Sequence, residues 1–210
     1  MQGIHDLPLF ILSGLLLNLT PGPDTLYIVG RGMTQGRRAA VMAALGVSAG
    51  CCVHTLAAAI GVSAVVMTSA AAFTVMKLAG AAYLVYVGMA MLRSGAVAEV
   101  PAVQRPPDAL RRVFMQGLLT NVLNPKVALF FIALLPQFVT TDAPSPFAAL
   151  LILGVVFNLN GTLWNLTTAW LASRAGAALT RHRTALAWVG RLTGGLMIAL
   201  GMRLALLSRD

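Results

Sequence analysis

The chain is 210 residues long, with 58% hydrophobic residues, 10% charged residues and a formal net charge of +9. Its mean hydropathy of +0.82 lies far above that of soluble globular proteins. This composition excludes an ordinary soluble domain and indicates an all-α integral membrane protein. A nucleic-acid-binding role is disfavoured, because the basic residues are confined mainly to alternate connections between apolar segments.

Hydropathy predicts six membrane-spanning helices, since roughly 20 apolar residues are needed to cross the hydrocarbon core as a helix. In chain order they are residues 7–29, 39–67, 71–92, 114–136, 147–172 and 187–207. Basic residues such as Arg37, Arg111 and Arg181 concentrate after the first, third and fifth segments. By the positive-inside rule these connections are cytoplasmic, so both termini are predicted to face outward.

The first predicted span carries an interruption in the stretch LNLTPGPDTLYIVGRG at 17–32. The interrupting residues are Pro21, Gly22, Pro23 and Asp24. Proline removes a backbone donor and breaks the ladder of a helix that contains it. Thr20 or Asn18 would cap a half-helix that begins at one of these prolines. Helix one is therefore predicted to be broken.

The two halves of the chain resemble each other. GLLLNLTPGPDTLYIV at 14–29 aligns with GLLTNVLNPKVALFFI at 117–132, which places Asn18 over Asn121. The first proline motif falls over Asn124-Pro125-Lys126, so helix four is predicted to be broken too, with Asn124 as the cap of its second half.

The repeat divides the chain into three parts. We predict a first three-helix repeat at 1–95, a cytoplasmic linker at 96–112 and a second three-helix repeat at 113–210. An odd number of helices per half forces the halves to insert in opposite orientations. The prediction is an inverted repeat, an architecture that many secondary transporters use.

Two charges lie next to the predicted breaks. Asp24 and Lys126 each cost roughly 2.5–3.5 kcal/mol at the centre of a spanning helix on insertion scales, and such residues usually line a pathway. The freed N–H groups and positive ends of two half-helices would suit a carboxylate. We expect the ammonium of a zwitterionic substrate to meet Asp24 and its carboxylate to meet Lys126 and a half-helix end. The alternatives are a proline kink satisfied by neighbouring helices and an ion pair that only fixes packing.

The predicted substrate site comprises the residues of both breaks. They are Asn18, Pro21, Gly22, Pro23, Asp24, Asn121, Asn124, Pro125 and Lys126. Proton coupling is assigned to Asp24 and His54, although a single intramembrane histidine is also a common hydrogen-bonding core residue.

Secondary candidates come from three other segments. Lys77 and Arg191 are a repeat-related pair that either lines the pathway or extends to the interface. Asn158 and Trp164 belong to a polar run in the fifth segment, compatible with a cavity wall or with hydrogen bonds between helices. Gly46-xxx-Gly50 permits close approach of helices, within the protomer or in a homodimer.

No metal site and no cofactor are predicted, because the chain lacks metal-ligand spacings and glycine-rich phosphate loops.

Three stretches resemble the LysE/RhtB family of bacterial amino-acid exporters. They are NLTPGPDTLYIVGRGMTQGRRAA, KLAGAAYLVYVGMAMLRSG and GLLTNVLNPKVALFFIALLPQF, and the resemblance covers essentially the whole chain. It departs at Ala40, where the family motif has glycine. The resemblance implies export of amino acids or their derivatives across the bacterial cytoplasmic (inner) membrane by proton antiport. In that membrane the termini that the basic residues place outward are periplasmic.

Two other classes compete with a secondary exporter. A channel or an uptake carrier for small zwitterions would share the same composition and spacing. A membrane-embedded enzyme would usually show clustered catalytic groups within the spans, and this sequence has none, so no enzymatic activity is predicted.

Overall fold

The computed structural model describes residues 3–20, 22–68, 70–93, 108–140 and 142–179, with scattered helical positions between 191 and 206. The described chain is helical apart from one isolated bridge between Ile4 and Val139. Its helices are α1 Leu7–Leu19, α2 Pro23–Thr68, α3 Ala70–Arg93, α4 Leu110–Val122, α5 Pro125–Ala133, a 3₁₀ turn Leu135–Phe138, and α6 Pro146–Leu179.

Several of these helices are suited to a membrane. Pro23–Ser63 and Pro146–Arg174 each contain a helical stretch long and apolar enough to cross one. Leu110–Val122 and Pro125–Phe138 form a third candidate span that bends by 49° at its break. The predicted all-helical membrane class is confirmed. The number of six spans stays a prediction, because most of 187–207 and of the linker 96–112 lies outside the described residues.

Helix α2 folds back on itself at Gly36. This residue has φ 78° and ψ −172°, a conformation that glycine adopts without the penalty of a Cβ. Ile28 and Ala44 belong to one buried cluster, although on a straight helix they would lie about 24 Å apart. Tyr27 and Ala43 likewise both lie against Gly117. Residues 23–35 and 37–68 are therefore two arms of a helical hairpin, which agrees with a first span ending before a second begins.

The second arm of α2 packs closely on α4 through small residues. Gly46 lies against the carbonyl of Phe114, and Gly50 lies against that of Leu118. From the opposite side, Gly117 lies against the carbonyl of Ala43. The Gly46-xxx-Gly50 pair thus serves packing within the protomer.

Polar contacts join the first arm of α2 to the start of α4. Arg31 donates to Asp108 at 2.8 Å and to the side-chain oxygen of Gln116. Tyr27 donates to the carbonyl of Val113 at 2.8 Å, and Arg112 donates to Asp108 at 3.1 Å. These contacts close one end of the interface between the two elements.

At the opposite end of the described helices, aromatic side chains pack against each other. Phe10 of α1, Phe130 of α5, Phe138 of the 3₁₀ turn and Phe157 of α6 are buried in one apolar cluster. Backbone bonds from His5 to Phe138 and from Thr140 to Gly3 tie the start of the chain to this region. The space between the polar and the aromatic ends contains both helix breaks.

We expect Gly46→Ala to lower stability, because a Cβ at this position overlaps the backbone carbonyl of Phe114. Overpacking of this kind costs roughly 1–3 kcal/mol. Gly61→Ala is the matched control on the same arm, since a Cβ there meets nothing within 4 Å, and alanine in a helix gains about 0.5–1 kcal/mol over glycine. Thermal unfolding in detergent compares the two variants. Equal melting temperatures would contradict the close packing of α2 on α4.

The Arg31–Asp108 contact predicts a pH dependence. The hydrogen bond from Arg31, followed by that from Arg112, lowers the pKa of Asp108 below its ordinary value. A carboxyl whose pKa is lowered on folding stabilises the fold above its unfolded pKa, and this contribution is lost as the pH falls through the folded value. We expect the melting temperature of the native chain to approach that of Asp108→Asn as the pH falls through this range. A constant difference between the two proteins would contradict the assignment.

Candidate functional site

The two helix breaks lie where the sequence predicts them. Helix α1 ends at Leu19 and α2 begins at Pro23, and α4 ends at Val122 and α5 begins at Pro125. At the second break the side-chain oxygen of Asn124 accepts from the backbone N–H of Lys126 at 3.0 Å. The predicted cap of α5 is confirmed.

The cap predicted for the first break is wrong. Asn18 lies inside α1, and Thr20 follows its last residue and donates its hydroxyl to the carbonyl of Leu16 at 2.9 Å. The first backbone bond of α2 runs from Leu26 to the carbonyl of Gly22. Because a threonine hydroxyl readily bonds to the turn before it, Thr20 closes α1 instead of opening α2. Pro21 lies outside the described residues.

Asp24 reaches from the first break to the second. It is the second residue of α2, and its Oδ2 accepts from the side-chain amides of Asn121 and Asn124, each at 2.9 Å. Asn121 and Asn124 are 3% and 2% exposed, so these bonds are shielded from solvent. A carboxylate with two amide donors is held in a fixed orientation.

Lys126 reaches in the opposite direction, from the second break to the first. It is the second residue of α5, and its Nζ donates to the carbonyls of Leu17 at 3.1 Å and Thr20 at 3.0 Å. These carbonyls end α1, where the helix dipole is negative and a cation is favoured. Each break is thus held by the charged residue that follows the other break.

Asp24 and Lys126 do not bond to each other. The ion pairs of the described residues are His5–Asp6, Arg31–Asp108 and Arg112–Asp108. Both Asp24 and Lys126 nevertheless line one cavity between the helices. The direct ion pair that the sequence left as an alternative is therefore absent among the described residues.

The cavity is enclosed by α1, both arms of α2, α4, α5 and α6. Of the predicted residues, Asn18, Asp24, Asn121, Lys126 and Asn158 line it. The apolar part of its wall consists of Leu17, Val47, Cys51, Val127 and Phe157. It offers about 30 Å³ to the centres of water molecules, which is room for roughly two or three waters. The cavity is therefore smaller than a free amino acid.

Other lining residues carry little signal in the sequence. Thr25, Ser48, Gly161 and Asn165 also line the cavity. Asn165 belongs to the polar run of the fifth predicted span. Thr25, Ser48 and Gly161 are residue types too common in helices for the sequence to single them out. Their place on the cavity depends on how α2 and α6 pack against each other, which no residue pattern predicts.

Asn158 both lines the cavity and forms hydrogen bonds between helices, the two alternatives that the sequence left open. It lines the cavity, and its amide donates to the carbonyl of Ser48 at 3.2 Å and to the sulfur of Cys52 at 2.8 Å. Thr162 adds a bond to the hydroxyl of Ser48 at 2.8 Å. These contacts attach α6 to the second arm of α2.

His54, Trp164 and Arg191 are not among the described residues that line the cavity. His54 donates from Nε2 to the carbonyl of Asn121 at 2.9 Å and stacks on Phe131. Lys77 belongs to α3, and its side chain lies outside what the structure describes.

Four buried polar atoms have no hydrogen-bond partner in the described part of the chain. They are Asn18 Nδ2, Asp24 Oδ1, Asn121 Oδ1 and Trp164 Nε1. The first three belong to cavity residues. An unsatisfied buried polar atom costs roughly 1–3 kcal/mol, so a polar guest between the breaks would recover that free energy.

A polar cavity between two interrupted membrane helices is the form of site that small-molecule translocators use. The family described as LysE type translocator matches residues 15–208, and the chain belongs to this family. The predicted family is confirmed, and its members are translocators, not enzymes. No solved structure is significantly similar to the chain.

Three similar proteins are named as membrane or efflux proteins. The chain is 30% identical over 207 residues to an uncharacterized membrane protein of Pseudomonas aeruginosa, covering 97% of this chain and 96% of the relative. It is 31% identical over 146 residues to a homoserine/homoserine lactone efflux protein of Salmonella typhimurium, covering 70% of each. It is 27% identical over 207 residues to a leucine efflux protein of an Enterobacter species, covering 97% and 96%.

We expect Lys126→Met to destabilise the protein, because the carbonyl of Thr20 loses its described partner and that of Leu17 loses one of two. The expected loss is roughly 1–3 kcal/mol. Lys126→Arg is the control, since it retains a cation for the end of α1. Thermal unfolding in detergent measures both variants. A Lys126→Met protein as stable as the native chain would show that Lys126 does not hold the first break.

Proposed function

We propose that the chain is a secondary active exporter of amino acids or their derivatives in the bacterial cytoplasmic membrane. The family supports translocation, and relatives named as efflux proteins for homoserine, its lactone and leucine support this cargo. The observation that carries the proposal is the reciprocal attachment of the two breaks by Asp24 and Lys126 around one polar cavity.

The substrate binds between the two breaks in this proposal. Its ammonium meets the unpartnered Oδ1 of Asp24, and its carboxyl group lies toward Asn18 and Lys126. Gly22 keeps the path to Lys126 open, since a Cβ on it would lie 3.2 Å from the ammonium nitrogen. Pro23 and Pro125 contribute by starting the half-helices, and Asn124 by orienting Asp24.

Alternating access follows from an inverted repeat of 1–95 and 113–210 joined by a cytoplasmic linker at 96–112. Helices α1 and α4 precede equivalent breaks, and the charge after each break contacts the other half. Rocking one half against the other would open the cavity first at one end and then at the other. In this orientation the Arg31–Asp108 end faces the cytoplasm and both termini face the periplasm.

Proton antiport is the proposed source of energy. Protonation of Asp24 removes the charge that holds the substrate ammonium, so proton entry from outside favours release of the cargo there. His54 reaches Asp24 through Asn121, whose carbonyl accepts from His54 and whose amide donates to Asp24. This chain of contacts supports His54 as a modulator of the exchange.

The decisive experiment is counterflow in proteoliposomes against a panel of amino acids that includes leucine and homoserine. We expect saturable exchange of at least one of them, and uphill movement when a pH gradient is imposed. Flux that neither saturates nor moves uphill would indicate a channel. Uphill movement only toward the cytoplasmic face would indicate an uptake carrier.

We expect Asp24→Asn to reduce counterflow to the level of protein-free liposomes, because the substituted amide no longer attracts an ammonium. Asp142→Asn is the matched control, since it makes the same change at an exposed turn that does not line the cavity. Both proteins should insert and fold. Native exchange by the Asp24→Asn protein would place the binding site elsewhere.

A further inference from the structure

We infer that the ring of Phe157 determines how large a side chain the cargo can carry, and that Gly14 fixes the place of that ring. Phe157 is then a residue that determines specificity. The inference rests on the proposed function, because it requires that an amino acid binds between the two breaks.

The apolar wall of the cavity is continuous with the buried cluster of aromatic rings. Four of the apolar residues that line the cavity belong to this cluster, namely Leu17, Cys51, Val127 and Phe157. The charged groups of a bound amino acid are attracted to Asp24 and Lys126. Its side chain is therefore left facing the apolar wall, where burial of apolar surface is favourable.

Phe157 is the one aromatic residue among the described residues that line the cavity. Two other apolar wall residues belong to the breaks: the carbonyl of Leu17 accepts from Lys126 at 3.1 Å, and Val127 directly follows Lys126. Phe157, in contrast, belongs to α6, which is continuous from Pro146 to Leu179. A change in the length of its side chain therefore removes no contact that holds either break.

The ring of Phe157 is held from two sides. Its centroid lies 4.7 Å from that of Phe130 and 5.2 Å from that of Phe131. On the side of α1 it lies against Gly14, where an added Cβ would lie 3.0 Å from Cδ2 of Phe157. Carbon atoms attract each other best at roughly 3.5–4.0 Å, so such a Cβ would crowd the ring. The missing side chain of Gly14 thus gives the ring its room toward α1.

The space in front of the ring is small. The cavity offers about 30 Å³ to the centres of water molecules, so a cargo side chain that points to this wall must displace the ring. A ring in a densely packed interior moves only by losing contacts or straining its neighbours. Because this cost grows with the size of the cargo side chain, affinity falls as that side chain becomes larger.

The test measures how alanine, leucine and phenylalanine inhibit counterflow of the labelled amino acid that exchanges fastest in proteoliposomes of the full chain. The inhibition constant of phenylalanine divided by that of alanine reports the size limit. We expect Phe157→Ala to lower this ratio at least about 10-fold, because one methylene in an apolar pocket already changes discrimination by roughly 10–200-fold. Phe157→Leu should lower the ratio by a smaller factor, and it keeps the core filled if the alanine variant does not fold.

A second variant changes the ring from behind. Gly14→Ala should raise the ratio, because the added Cβ takes the room into which the ring of Phe157 would retreat. A loss of packing alone would not shift the ratio in opposite directions at the two positions. Phe147→Ala is the matched control and should keep the native ratio, since it removes an exposed ring of the same helix that is not among the described lining residues.

The outcomes separate this inference from the proposed function. An unchanged ratio in both Phe157 variants, or a ratio that Gly14→Ala does not raise, would overturn the inference and leave the exporter in place. An equal fall of the ratio in Phe147→Ala would overturn it as well, because any lost ring would then have the same effect. If no amino acid in the panel exchanges, both proposals fail.

Discussion

The structure depends on the way each helix break is held by a charge from the other half of the chain. A broken helix in a membrane exposes backbone groups that lipid cannot satisfy, so each break needs internal partners. Lys126 supplies a cation to the carbonyl end of α1, and Asp24 supplies an acceptor to the amides of Asn121 and Asn124. Both breaks and both charges therefore form a single assembly.

This assembly explains how two charges are tolerated among apolar helices. Neither Asp24 nor Lys126 is neutralised by a direct ion pair among the described residues, yet each has two polar partners. A buried charge with hydrogen-bonded partners avoids much of the desolvation penalty of an isolated one. The desolvation penalty that remains is that of Asp24 Oδ1, which has no hydrogen-bond partner in the described chain.

The cavity lies between two ends that differ in chemistry. Arg31, Asp108 and Gln116 join one end through hydrogen bonds that are directional and exchange readily with water. Phe10, Phe138 and neighbouring aromatic rings close the other end by apolar packing, which has no such direction. The two ends of the described helices are thus held by different kinds of interaction.

The sequence by itself determined the membrane class, the position of both breaks and the two charges beside them. These are local properties: proline interrupts a helix wherever it stands inside one, and Asn124 caps the residues that directly follow it. The tertiary structure decided the partners. Lys126 meets carbonyls more than 100 residues away along the chain, and Thr20 closes α1 instead of opening α2. The Lys126 contacts depend on how α1 and α5 pack against each other, which is not encoded in the spacing of a motif.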